Sequence, residues 1–209
     1  MVSMRPLTQQ QRELLTAQVA SFESKTDAEL VLLVCNRSDS YLYIPTLWAA
    51  LVALLSGACL LAFPAWTTPS EVVLVQLVFF LLLAGVFRLE FVLSKIIPKK
   101  AKTWRCANFC RRQFLEQNLH MTRGRNGILL FVSLQERYVE VLGDQGVVSA
   151  APEGIWQSIV RECSGHLKKG DLFGCFQDAV NAIARDVAPS VPLTEAKNEL
   201  PNHVIEIRV

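Results

Sequence analysis

"NGILLFVSLQERYVEVLGDQG", residues 126–146, is the stretch on which the fold turns. Its first arm, 127–134, is apolar almost throughout, as expected of a strand covered on both faces. Its second arm, 137–143, alternates. Tyr138, Glu140 and Leu142 fall on one side, Val139 and Val141 on the other. Only Gln135 and Glu136 join the arms, so the pair reads as a short β-hairpin. The stretch closes on Gly143-Asp144-Gln145-Gly146, which either turns a corner or contributes a carboxylate to a site.

Helices are predicted downstream. One runs over 152–167, with Pro152 in its first turn and Ile155, Trp156, Ile159 and Val160 inward, and it stops at Lys168-Lys169-Gly170. Asp171 caps another, over about 172–187, striped by Phe173, Phe176, Val180 and Ile183. The tail is polar, then led by proline, and ends in the strand-like "HVIEIRV". Upstream, 103–118 is expected to be helical. Residues 28–36 ("AELVLLVCN") read as a buried strand. Residues 7–24 read as an amphipathic helix capped by Thr8 with Gln11 closing a capping box, and striped by Leu15, Val19 and Phe22.

Between these soluble pieces lies something different. From Tyr41 to Phe87 the only acid or base is Glu71. "TLWAALVALLSGACLLAF" (46–63) and "EVVLVQLVFFLLLAGVF" (71–87) are two apolar runs separated by "PAWTTPS". With borrowed flanks, about 43–63 and 71–93, each reaches the roughly 20 residues that cross a bilayer core. The second extension requires Arg88 to snorkel and Glu90 to sit near the interface. Tyr41, Tyr43, Trp48 and Trp66 are expected near the interfaces. Ala49, Ala53 and Gly57 form a small-residue face that suits packing on the second helix.

The turn holds no Lys or Arg, whereas Lys95, Lys99, Lys100, Lys102, Arg105, Arg111 and Arg112 follow with no acid among them. Positive charge stays cytoplasmic, which predicts both termini inside and places the basic run against anionic lipid headgroups. The net charge of +2 on 209 residues argues against a nucleic-acid partner. Residues 1–25 carry charges of both signs and no apolar core, so no signal peptide is expected. The six cysteines are scattered and expected reduced.

The predicted organisation is therefore one α/β domain interrupted by a membrane hairpin. Residues 1–40 supply the first helix and strand, 41–93 the hairpin, 94–190 the rest of the domain and 191–209 a tail. A lone strand near 29–35 needs partners, and the hairpin strands are the obvious ones.

These residues resemble the TPM domain family through 6–35 and 104–187. The most specific stretches are Asn126-Gly127-Ile128-Leu129-Leu130-Phe131-Val132, Glu136-Arg137-Tyr138-Val139-Glu140-Val141 and Gly146, with Trp156 and Gly170-Asp171-Leu172-Phe173-Gly174 after them. More narrowly the chain looks like a bacterial membrane-bound subgroup. That group has two spans after the first strand, a Thr-Arg stretch (here Thr122-Arg123) and a tail like "ELPNHVIEI" (199–207). The resemblance implies a small α/β sandwich, a mixed sheet with flanking helices, and a location in the bacterial inner membrane. Some relatives are described as metal-dependent acid phosphatases. Others assemble or repair membrane complexes, or are auxiliary subunits. In the phosphatases an acid often precedes Asn-Gly, and Gly-Tyr-Gly-Leu-Glu with a later Asp follows the second strand. Here Arg125 precedes Asn126, Val148 fills the Glu position, and 149–153 offers only Glu153.

Candidate site residues follow. Asp144, Glu153 and Asn126 would form a reduced acidic site for calcium or magnesium, which need several oxygen ligands. Arg123, Arg125 and Arg137 would clamp an anion such as phosphate. Cys106 with Cys110, and Cys163 with His166, make four zinc ligands by count. Their spacing is not that of a zinc knuckle, and cysteine is also a common core residue. No nucleophile with an adjacent base and no phosphate loop is visible. The expected function is a membrane-bound TPM-like module, non-catalytic, that binds or assembles another membrane protein. The alternative is a membrane-anchored metal-dependent phosphatase.

Overall fold

The computed structural model describes residues 6–61, 68–194 and 204–208. Trp66, the turn around it and residues 199–203 of the tail, His203 included, lie outside the described residues. The chain divides into two compact units. One comprises Met1–Asp39 with Thr103–Val209, the other Ser40–Lys102.

The first unit is built on a four-stranded mixed sheet in the order β3-β2-β1-β4. Strand β1 (Glu29–Cys35) runs parallel to β2 (Gly127–Ser133), with Val31 opposite Leu129 and Leu33 opposite Phe131. Strand β3 (Tyr138–Gly143) returns antiparallel on β2. Strand β4 (Val204–Ile207) lies parallel on the free edge of β1, so the end of the tail belongs to the sheet. Every residue of β1 and β2 is buried, which explains why neither alternates.

Three helices cover one face of the sheet. Helix α1 (Gln9–Glu23) begins with the Thr8–Gln11 capping box and buries Leu15, Val19 and Phe22. Helix α7 (Ile155–Lys169) ends on Gly170 in the left-handed region (φ 79°), a conformation that costs glycine nothing. Asp171 then accepts from the Gly174 N–H and caps α8 (Leu172–Asp186). These helices close over Leu30, Leu32, Val34, Ile128, Leu130 and Val132. The opposite face carries Val31, Leu33, Leu129 and Phe131, covered by Cys106, Phe109 and Cys110 of α5 (Lys99–Glu116). Phe109 and Phe131 meet at 5.6 Å between ring centroids.

Some boundaries differ from the sequence expectation. Helix α5 starts at Lys99 rather than 103, because Pro98 sets the first turn and its carbonyl accepts from Ala101 and Lys102. Helix α7 starts after Gly154, leaving Pro152 outside it. A six-residue helix, α6 (Gln145–Ala150), follows the hairpin unexpectedly.

The second unit holds α2 (Tyr43–Leu61) and α3 (Pro69–Val86), both long and apolar enough to cross a membrane. Ala49 and Ala53 are buried, and Gln76 of α3 donates to the Ala53 carbonyl at 3.3 Å. A Cβ at Gly57 would sit 1.8 Å from Gln76 Nε2, so the small-residue face packs on the second helix. Helix α3 does not continue to Leu93. Phe87, Arg88 and Leu89 close its last turn, partly through bonds that reach back three residues, and Leu89 turns extended. A separate short helix, α4 (Glu90–Ile96), follows. Tyr41 is buried with Ile44 and Ile97 in a small cluster also touched by Leu93, Ile96 and Ala101. That cluster carries the unit past residue 93.

Candidate functional site

The corner after the hairpin is built by glycines and short hydrogen bonds. A turn at Thr122–Arg125 is closed by the Arg125 N–H on the Thr122 carbonyl at 3.0 Å, and the Thr122 hydroxyl accepts from the Asn126 N–H at 3.1 Å. Arg125 itself is left-handed, with φ 53°. Across the ladder, the Asp144 N–H donates to the Gly127 carbonyl and the Gly146 N–H to the Arg125 carbonyl. A Cβ at Gly146 would lie 2.3 Å from the Gly124 carbonyl oxygen and 2.4 Å from Asn126 Oδ1. One at Gly127 would lie 2.3 Å from the Leu119 carbonyl oxygen. The Asn-Gly and the second Gly of Gly-Asp-Gln-Gly are therefore there because backbone meets backbone.

Asp144 sits at the centre of this corner, 8% exposed. Its carboxylate caps α6 by accepting from the Gln145 N–H at 2.7 Å. Arg125 takes both oxygens, with Nε 3.2 Å from Oδ2 and Nη2 3.2 Å from Oδ1. This bidentate pair is a strong, geometrically specific one. It occupies the carboxylate that a cation would need.

Of the other candidates, Asn126 shares this corner, while Glu153 and Arg137 lie elsewhere. Asn126 lies in the corner, its Oδ1 close to Gly146. Glu153 is exposed and lines a shallow depression with Pro152, Ser158, Arg185 and Asp186. Arg123 is exposed on the turn. Arg137 belongs to the β2–β3 turn at the far end of the ladder, about 20 Å from Arg125 at roughly 3.3 Å per strand residue. The three arginines form no common clamp. A hard divalent cation wants several oxygens, usually with two or more carboxylates. Asp144 paired to Arg125 does not fit that requirement.

The zinc ligands by count are separated by the sheet itself. Cys106 and Cys110 are buried in one core and Cys163 in the other. Cys163 donates to the Cys175 carbonyl. His166 is held between Asp171 (3.0 Å) and Asp178 (2.8 Å), tying α7 to α8. Among the described residues no group of three or more His, Cys, Asp or Glu is arranged to hold a metal ion.

Two features escaped the sequence reading. Glu136, in the hairpin turn, accepts from the Ser38 N–H (3.1 Å), the Ser38 hydroxyl (3.0 Å) and the buried Ser133 hydroxyl. Cys35 donates to Ser133, and Cys106 contacts Ser38 at 3.3 Å. Burial pushes both thiols up to about 12, which makes them poor nucleophiles. The second feature is a cleft of about 360 Å³ at the carboxyl ends of β1 and β4, lined by Asn36, Leu134, Leu172, Glu206 and Arg208 among others. Glu206 is held there by Arg12 of α1 at 2.8 Å. Strand β4 and Arg208 after it supply one wall of this cleft, and nothing local in the tail names their partner.

Comparison with known proteins bears on the fold. The NMR structure of the BA42 protein from the psychrophilic bacterium Bizionia argentinensis superposes with a TM-score of 0.59 at 13% identity, over 97% of this chain and 96% of that one. No curated protein matches the sequence. The TPM domain model matches residues 98–186, which run from the start of α5 through β2, β3 and α7 to the end of α8. The chain carries a TPM domain.

Proposed function

We propose that this is a bacterial inner-membrane protein that crosses the bilayer twice, with both termini cytoplasmic. Its TPM domain acts as a non-catalytic binding or assembly module for another membrane protein. Support for the anchor is the exposure of Leu47, Leu54, Leu74, Leu81 and Leu82 on α2 and α3, an apolar surface too large to leave in water. The orientation rests on the basic run Lys95, Lys99, Lys100, Lys102 and Arg105, which suits anionic headgroups on the cytoplasmic side.

The observation that carries the non-catalytic reading is Arg125 on Asp144. A cation stands where phosphatase-type relatives carry an acid, and it takes up the one carboxylate of the corner. The experiment is phosphate release by the full chain in detergent, with calcium, magnesium or manganese and a general phosphomonoester. No release above that of Asp144→Asn is expected. Metal-dependent release lost in Asp144→Asn would replace the binding module with a membrane-anchored phosphatase.

A further inference from the structure

Helix α5 has two unlike faces. Cys106, Phe109, Cys110 and Gln113 are buried against the sheet. At roughly 100° per residue, Trp104, Asn108, Arg111 and Leu115 line up on the opposite side. This outer stripe is open: Trp104 is 59% exposed and Leu115 55%. The Arg105 guanidinium lies over the Trp104 ring at 4.9 Å while pairing with Asp39 at 3.1 Å. Arg111 contacts Asn108 at 3.5 Å, and the neighbouring Arg112 pairs with Glu116 at 3.3 Å. Glu116 is the helix's single acid, against Lys99, Lys100, Lys102 and three arginines.

We propose that this outer stripe of α5 is a lipid-contact surface, seated in the headgroup layer of an anionic membrane. Trp104 and Leu115 dip into the interface and Arg111 and Arg112 meet phosphates. The inference rests on the membrane reading above and extends it from the basic start of α5 to the whole outer stripe of that helix. Three observations favour lipid over a protein partner. The net charge of the helix is strongly positive. The large exposed apolar groups are an indole, which favours the interface, and a leucine about three turns away on the same line. The helix follows the second apolar run with only the short helix α4 between them.

The test uses the full chain with Trp48, Trp66 and Trp156 changed to phenylalanine, leaving Trp104 as the sole indole. It is reconstituted in phosphatidylcholine–phosphatidylglycerol vesicles, with and without lipids brominated near the headgroup. Trp104 emission should shift to the blue relative to detergent and be quenched several-fold by the bromines. Arg111→Glu with Arg112→Glu should relieve most of that quenching. If Trp156→Phe impairs folding, the same quenching lost from the otherwise native chain on Trp104→Phe gives the answer. Unquenched Trp104 in protein that resists alkaline extraction would overturn this inference while leaving the spans intact. Protein stripped from the vesicles by alkali would overturn both. Quenching that is equal in pure phosphatidylcholine and unmoved by the charge reversals would overturn the anionic part of the assignment.

Discussion

Arg125 and Asp144 are nineteen residues apart in the chain and joined by a two-pronged ion pair, the carboxylate buried and the guanidinium largely in solvent. The pair exists because Arg125 adopts a left-handed backbone in the turn before β2, while Asp144 caps the helix after β3. Removing the guanidinium leaves a nearly buried carboxylate with one backbone donor. Arg125→Ala should therefore cost about 1–2 kcal/mol in urea unfolding, after allowance for the exposed partner. Arg125→Asp, tolerable at that backbone angle, places two carboxylates together. It should acquire calcium binding visible by calorimetry, whereas the native chain should show none at the same concentrations. Equal titrations of the two proteins would sink this account of the corner.

Gly146→Ala should destabilise the domain by about 2 kcal/mol or more, since the added methyl meets two backbone carbonyl oxygens that cannot swing away. Gly154→Ala offers a useful contrast. No atom lies near its added methyl, so only its left-handed backbone (φ 81°) is strained and the loss should be about 1 kcal/mol. Similar denaturation midpoints for Gly146→Ala and the native protein would show that the corner relaxes.

Glu23 is held protonated at neutral pH. Burial raises its carboxyl to about 8, partly offset by the Leu30 N–H it accepts from and aided by nearby Glu29. The folded state binds this proton more tightly than the unfolded chain. Its contribution is thus complete below about 4.5 and declines as pH rises toward 8. Glu23→Gln keeps the bond to Leu30 and needs no proton. It should stabilise the domain by about 1–3 kcal/mol at pH 8 and flatten this part of the pH profile. A mutant curve parallel to that of the native protein would refute the assignment.

Glu136→Ala strips the Ser38 and Ser133 hydroxyls and the Ser38 N–H of their acceptor. A loss of about 2–3 kcal/mol is expected, read by thermal unfolding in detergent. Because Ser38 stands at the point where the apolar hairpin is inserted, limited proteolysis near 36–40 should also accelerate.

Of the six cysteines, five are buried and only Cys59, on α2, is exposed. In detergent one thiol per chain should react with a small neutral maleimide. In sealed vesicles a charged maleimide should label none, because Cys59 would then face lipid. Labelling at equal rates in both would argue against a membrane-embedded α2.

What the sequence discloses, and what it hides, follows from range. The uniform apolar runs of β1 and β2 betray strands covered on both faces, and Thr8, Gln11, Gly170 and Asp171 mark helix ends by chemistry confined to three or four residues. Strand β4 pairs with β1 from the opposite end of the chain, and its four half-buried residues carry no sign of their neighbour. The six residues of α6 are too few for periodicity. The Arg125–Asp144 pair was invisible for a related reason. Both residues were candidates, but for opposite charges of ligand, and only the folded turn makes them each other's partner.

Strand β1 is flanked by strands contributed by residues 127–133 and 204–207. On the ribosome, β1 and the apolar hairpin are therefore made long before either neighbour exists. On the membrane reading proposed above, the hairpin would be handed to the insertion machinery while β1 is still an unpaired hydrophobic strand, and this sheet would close only after residues 204–207 had been made. Anchoring would then precede closure of the sheet, because β4 is made after the hairpin and after β2 and β3.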